Sequence, residues 1–219
     1  MKKIAVVLSG CGFKDGSELT EAVSTLIALS ESHANYKAFS PSVDFEAVDH
    51  LSGEPLGRRN TLSESARISR GQIADLTQLN VDDYDALVFP GGYGAAKNLC
   101  DWASKGAKCQ VHPQVEKAIL DFHQQNKPIG AICIAPALVA RVLGSHGVTV
   151  TIGNDVETSR EIEKTGAVHV NCPVDDYVTD RETKVITTPA YMYDAKPHEV
   201  FTGIQKLVRE LVEMASMFF

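Results

Sequence analysis

Lys127-Pro128-Ile129-Gly130-Ala131-Ile132-Cys133-Ile134-Ala135-Pro136-Ala137-Leu138-Val139 predicts a strand, a sharp turn at Cys133 and a helix. The apolar run before the cysteine is too short to cross a membrane. Ala131 and Ala135, two residues either side, are small enough for a strand-to-helix elbow, where the bend brings the backbone close to itself. A helix starting near Pro136 would aim its free amides and its positive dipole end at the sulfur. Both effects favour the nucleophilic thiolate. A free cysteine is equally compatible with a small buried hydrophobe.

Working outward, Val115 to Gln125 reads as an amphipathic helix leading into the cysteine strand. Tyr84 to Phe89 is an apolar strand that runs into Pro90-Gly91-Gly92-Tyr93-Gly94-Ala95-Ala96-Lys97-Asn98. Glycines at the carboxyl end of a parallel strand expose backbone amides where open α/β sheets place ligands. Lys3 to Leu8 predicts a buried first strand. After it, Ser17 is a candidate cap for a helix from Glu18, with Leu19, Ala22, Val23, Leu26 and Ile27 on one face. Tyr36 to Phe39 predicts a second strand, Val43 to Gln78 a hairpin-like excursion followed by a short helix at Thr61 to Ile68. Val148 to Ile152 reads as another strand, Glu157 to Lys164 as a polar helix and Val168 to Val170 as a short strand. Asp175 to Asp180 pairs with Lys184 to Thr188, and a helix from Val200 to Met217 closes the chain. Alternating strands and helices predict an α/β, doubly wound, mostly parallel sheet between helical layers.

The 219 residues suit one domain over 1–219, and 44% hydrophobic with 22% charged residues is an ordinary globular composition. A net charge of −7 without a Lys/Arg cluster argues against a nucleic-acid surface. No apolar run is long enough for a membrane helix. The five scattered cysteines include no CxxC pair, which supports neither a disulfide framework nor structural zinc and points to a reducing, cytoplasmic home. The Ser9–Gly16 loop only partly matches a dinucleotide fingerprint. Cys11 is a tentative pocket residue or a loop residue. Asn98 is a tentative substrate contact or part of a helix start. The adjacent acids Asp175 and Asp176 suit a solvated turn better than a metal site.

Pro90-Gly91-Gly92, the Ala131-Ile132-Cys133-Ile134-Ala135-Pro136 elbow and a Glu opening the first helix together resemble the ThiJ/PfpI superfamily. Leu8-Ser9-Gly10-Cys11-Gly12, Asp15-Gly16-Ser17-Glu18, Gly94 to Asn98, Cys133 to Ala137, Cys172 to Asp176 and Thr187 to Met192 are similar to its ElbB branch, the enhancing-lycopene-biosynthesis proteins. The resemblance implies a flavodoxin-like fold of the class I glutamine amidotransferase-like type and a homodimer. It implies a nucleophilic Cys133 with the Glu18 carboxyl close to the sulfur. It also implies cofactor-free glyoxalase III-like hydro-lyase activity, glyoxal to glycolate, and a link to isoprenoid biosynthesis.

A 2-oxoaldehyde offers an electrophilic carbon to the Cys133 thiolate. Amides around Gly91, Gly92 and Ile134 would hold the oxyanion of the resulting hemithioacetal, and Glu18 would relay a proton. That chemistry needs no metal or nicotinamide. Many superfamily members carry His after the cysteine, where this chain has Ile134, and none falls at the other usual position, beyond the Val148–Ile152 strand. His146 and His169 are the nearest candidates for a base. The lack of an obvious base keeps open a redox or carbonyl sensor built on an oxidisable Cys133.

Overall fold

The computed structural model describes residues 1–217. In chain order the elements are β1 (Lys3–Val7), α1 (Leu19–Glu31), β2 (Asn35–Ser40), β3 (Asp44–Val48), β4 (Pro55–Asn60), α2 (Thr61–Ile68), β5 (Ile73–Asp75) and β6 (Ala86–Phe89). There follow α3 (Tyr93–Lys97), α4 (Trp102–Lys105), α5 (Pro113–Gln124), β7 (Ile129–Ile132), α6 (Ala135–Leu143) and β8 (Thr149–Val150). The chain continues through α7 (Val156–Glu163), β9 (Val168–His169), β10 (Val178–Asp180), β11 (Val185–Thr188) and α8 (Pro197–Ser216).

Among the described residues, seven strands form the central sheet in the order β10-β11-β7-β6-β1-β2-β5. All of its pairings are parallel except β10 with β11. The fold is therefore the expected mostly parallel, flavodoxin-like α/β class. Both faces are covered, so the inner strands are continuously apolar rather than alternating. Ala5 and Val7 of β1 and Leu87 and Phe89 of β6 join the core under α5 and α6. Ile4, Val6, Ala86 and Val88 point the other way, into the core with α1 and α8. Strand order reverses between β1 and β6, and ligands of open α/β sheets bind at the carboxyl ends of the strands at such a point. The loop after β1, the Gly91-Gly92 turn after β6 and the Cys133 elbow after β7 meet there.

Three local expectations are corrected. The first helix starts at Leu19, and its N-cap is Glu18, whose carboxylate accepts from the Glu21 amide at 2.7 Å. Ser17 is instead a buried anchor whose Oγ accepts from the Ser9 amide. With the start moved, Ala22, Ala28 and Leu29 face the core, while Leu19, Val23 and Ile27 lie exposed at 48%, 43% and 46%. Two apolar stripes were available on this helix, and packing against α8 selected the one with small residues. Val148 to Ile152 does not extend the main sheet. Its Thr149–Val150 portion pairs in parallel with β9 as a separate ribbon, and the Thr151 amide that follows donates to Thr187 Oγ1 at 2.9 Å.

Asn98 holds the loop after β1 in place. Its Nδ2 donates to Ser9 O at 2.9 Å and Asp15 O at 2.8 Å, both buried. Replacing it by Ala leaves two buried carbonyls without donors, a cost of about 2–4 kcal/mol. Thermal melting of Asn98→Ala should show Tm lowered by roughly 5–15 °C; an unchanged Tm would contradict this role.

Candidate functional site

Cys133 sits at the elbow with φ of 64°, in the left-handed region that non-glycine residues rarely occupy. That conformation costs about 1–2 kcal/mol and is held by its surroundings: the Cys133 amide donates to Thr188 O at 2.9 Å, tying the elbow to the end of β11. The Gly92 and Ile134 amides lie toward the sulfur and favour its ionised form, Ile134 being the N-cap of α6. The sulfur forms part of the floor of a cavity of about 660 Å³.

The carboxyl against the sulfur belongs to Glu21, not Glu18. Glu21 is wholly buried on the inner face of α1 and hydrogen-bonds the Cys133 side chain. Its Oε2 accepts from the Gly91 amide at 2.9 Å and its Oε1 from the Tyr191 amide at 3.3 Å. Gly91 admits no side chain here, because an added Cβ would fall on Cys133 Cβ and 2.5 Å from Glu21 Oε2. Glu18 lines the same cavity one turn earlier but is occupied as the cap of α1. The separation of three residues leaves both acids on neighbouring sides of the helix, so the pattern Glu18-x-x-Glu21 was the available signal. The earlier helix start concealed which acid turns inward.

Burial is the main cause that pushes the Glu21 carboxyl up to about 8, with the Glu18 charge adding to it and the hydrogen bonds opposing it. Burial also pushes the Cys133 thiol well above its ordinary value, and Glu21 raises it further, against the opposing Gly92 and Ile134 amides. The expectation of a sulfur held ionised at neutrality is therefore corrected. Near pH 7 the favoured resting state is a neutral thiol against a neutral carboxyl, because two adjacent buried acids resist ionising together.

The other expected site residues are dispersed. Gly92 and Ile134 line the cavity, but the Gly91 amide is consumed by Glu21 and is no free oxyanion donor. Asn98 is the buried fastener described above. Cys11 lies outside the cavity lining, beside Glu64 and Arg67. No histidine lines the cavity among the described residues: His146 stacks edge-to-face on His123, and His169 accepts from the Ile152 amide. Sequence reading missed the walls, which come from Phe13, Tyr93, Trp102, Tyr191 and Met192, with Glu157 and Glu161 at one side. No group of three or more His, Cys, Asp or Glu suited to a metal occurs among the described residues.

The sequence model of the DJ-1/PfpI family matches residues 2–194. The human glutamine amidotransferase-like class 1 domain-containing protein 3, mitochondrial, is 43% identical across 97% of this chain and 83% of its own length. The rat ES1 protein homolog, mitochondrial, is 42% identical across 97% of this chain and 84% of its own. The crystal structure of an isoprenoid biosynthesis protein with an amidotransferase-like domain from Ehrlichia chaffeensis superposes with a TM-score of 0.90 at 39% identity, covering 96% of this chain and 99% of that one. The chain belongs to the DJ-1/PfpI family. The cytoplasmic expectation is overturned by these relatives, since the human and rat proteins are mitochondrial; scattered cysteines report a reducing environment and do not distinguish one compartment from another.

Glu21 makes stability depend on pH. The folded chain keeps this proton up to about pH 8 whereas the unfolded chain loses it near 4.5, so between those values the folded state binds more protons. Its contribution to stability therefore falls as pH rises through that window, by at most about 1.4 kcal/mol per pH unit, and is flat outside it. Denaturant titrations between pH 5 and 8 should show that Glu21→Gln removes this slope. At pH 9, where the Glu21 charge opposes the thiolate, iodoacetamide should modify Cys133 on the order of tenfold faster in Glu21→Gln than in the parent. Parallel stability curves would contradict the buried, raised carboxyl.

Proposed function

We propose that this member of the DJ-1/PfpI family is a cofactor-free, glyoxalase-like enzyme acting on small 2-oxoaldehydes, with Cys133 as nucleophile and Glu21 as acid–base residue. The observation that carries the reading is the Glu21 carboxyl, raised to about 8 and hydrogen-bonded to Cys133. A base is most effective when its pKa lies near the working pH, and Glu21 takes the place of a histidine at the usual positions, where this chain has none. The pair is neutral at rest, and the minor ionised fraction of Glu21 removes the thiol proton as sulfur attacks the aldehyde carbon.

Sulfur and carbon bond as the carbonyl π pair moves to oxygen, and the Gly92 and Ile134 amides stabilise that oxygen. Protonation gives the hemithioacetal. Glu21 next removes the hydrogen on the sulfur-bearing carbon, forming an enediol, and returns a proton to the second carbon. The product is a thioester of the 2-hydroxy acid. Water attacks the thioester, the C–S bond breaks and sulfur recovers its proton. Glyoxal plus water thus becomes glycolate with no external oxidant.

The finer placement in the ElbB-type branch, and with it a link to isoprenoid biosynthesis, is supported by the near-complete overlap with the Ehrlichia protein. Glutamine hydrolysis is disfavoured despite the human relative's name, because amide cleavage needs a strong proton donor for the leaving amine and no histidine among the described residues lines this cavity. The sensor reading is weakened by the same burial and raised thiol that make a resting thiolate scarce. A homodimer belongs to the proposal and is supported by the exposed Leu19, Val23 and Ile27 stripe.

Purified protein should convert glyoxal to glycolate with kcat/KM rising with pH to a plateau above about 8. Cys133→Ser should abolish turnover, and Glu21→Gln should lower it by about 10²–10⁴ and flatten the pH profile. Glu18→Gln should retain activity but move the rise to lower pH, because the Glu18 charge helps to hold the Glu21 carboxyl up. Equal rates in the parent and Cys133→Ser would reject the proposal.

A further inference from the structure

Cys100 and Cys109 stand at the two ends of a loop whose middle, residues 102–106, forms part of the cavity wall. The loop closes at its base as a short antiparallel ladder. Cys100 bridges Val111, the Asp101 amide donates to Gln110 O at 3.2 Å, and the His112 amide donates to Leu99 O at 2.9 Å. Both thiols are free and buried in the same core cluster, on one side of this ladder and near enough for each to shift the other's ionisation, while Cys100 Sγ donates to Ala95 O at 3.3 Å. Two thiols need not meet in this way to make a core, since Val or Ala fills such space without a polar atom. Cys109 is itself fully buried, between the exposed Lys108 and Gln110. The Arg141 side chain donates to the Cys109 carbonyl at 2.9 Å, which brings a fixed positive charge beside it.

From this geometry we propose that Cys100 and Cys109 form a redox-active dithiol, oxidised by hydroperoxides to a disulfide that staples the cavity-wall loop. The neighbouring Cys100 thiol and then the Arg141 charge favour ionisation of Cys109 first, while Cys100 is pushed the other way. Cys109 is accordingly the attacking sulfur. Its thiolate attacks one peroxide oxygen, the S–O bond forms, the O–O bond breaks and the departing oxygen leaves as water or alcohol. Cys100 then attacks the sulfenic sulfur, the S–S bond forms and the S–O bond breaks, releasing water after protonation. Two thiols and one hydroperoxide give one disulfide, one alcohol or water, and one water; the sulfurs are oxidised and the peroxide is reduced. A thiol reductant reverses the change by exchange. The staple fixes the ends of the segment that carries Trp102, so oxidation state sets how freely this wall moves.

The test uses the folded full chain with hydrogen peroxide at less than one equivalent, followed by alkylation in denaturant and non-reducing peptide mass spectrometry. A Cys100–Cys109 linked peptide should form on the order of tenfold faster from folded than from urea-unfolded protein, and dithiothreitol should remove it. Trp102 is the chain's one tryptophan, so its emission should shift with the link and return on reduction. Cys109→Ser and, separately, Cys100→Ser should lose both signals. Recovery of Cys100 and Cys109 as alkylated free thiols while Cys133 is consumed would overturn the proposal, as would a link that forms no faster in the folded chain. Neither readout depends on glyoxal turnover, so failure here and failure of the proposed activity are separable.

Discussion

A carboxyl group buried between four chain segments organises this molecule. Glu21 accepts hydrogen bonds from the amides of Gly91 and Tyr191 and hydrogen-bonds the side chain of Cys133. Those partners follow β6, β11 and β7, while Glu21 itself rides on the helix that follows β1. One side chain thus ties together the carboxyl ends of four strands. Removing a carboxylate from water is costly unless it is compensated. Two amide donors are too few to hold it ionised against that burial, and the group stays protonated instead. The absence of a side chain at Gly91 follows from the same knot, because nothing larger than hydrogen fits between Glu21 and Cys133.

The chemistry depends on that arrangement. A lone cysteine at an elbow receives help from helix amides, but in a buried position those amides do not outweigh desolvation and a neighbouring acid. The pair is therefore better regarded as a reservoir of two protons that can be rearranged than as a preformed thiolate. Such a pair suits a reaction whose central step moves a proton between adjacent carbons. Glu18 contributes twice from outside the knot. It caps the helix that delivers Glu21, and its charge opposes ionisation of its neighbour. Geometry and electrostatics are here properties of one turn of helix.

Floor and wall of the cavity have different origins. The floor is assembled at the sheet's switch point and is held by backbone hydrogen bonds between strand ends. The wall comes from the loop after β1, from the segment after β11 and from α3, α4 and α7, the last three being short elements attached outside the main sheet. Glu161 of α7 accepts from the Ala107 amide at 3.0 Å, which joins two of these wall segments. A firm floor with an attached wall permits changes in substrate access without disturbing the reacting groups. The loop between Cys100 and Cys109 belongs to the part of the site where such changes cost least.

The amino-acid sequence alone determined the α/β class, the elbow at Cys133, the glycine turn after Phe89 and the Thr61–Ile68 helix. Each rests on a local rule: an apolar period, a turn-forming glycine or a small residue flanking a tight bend. The family resemblance was legible for the same reason, since its motifs occupy turns with narrow steric demands. Which acid meets the sulfur was decided only by the tertiary structure, because Glu18 and Glu21 lie on neighbouring sides of one helix and only the packing of α1 selects the one that turns inward. The protonation of the pair was also beyond local reading, for desolvation depends on everything packed around a group and not on its neighbours in the chain. The meeting of Cys100 with Cys109 and the outward turn of Leu19, Val23 and Ile27 have the same cause: burial is a property of the assembled layers, and periodicity identifies faces without saying which of them the core will take.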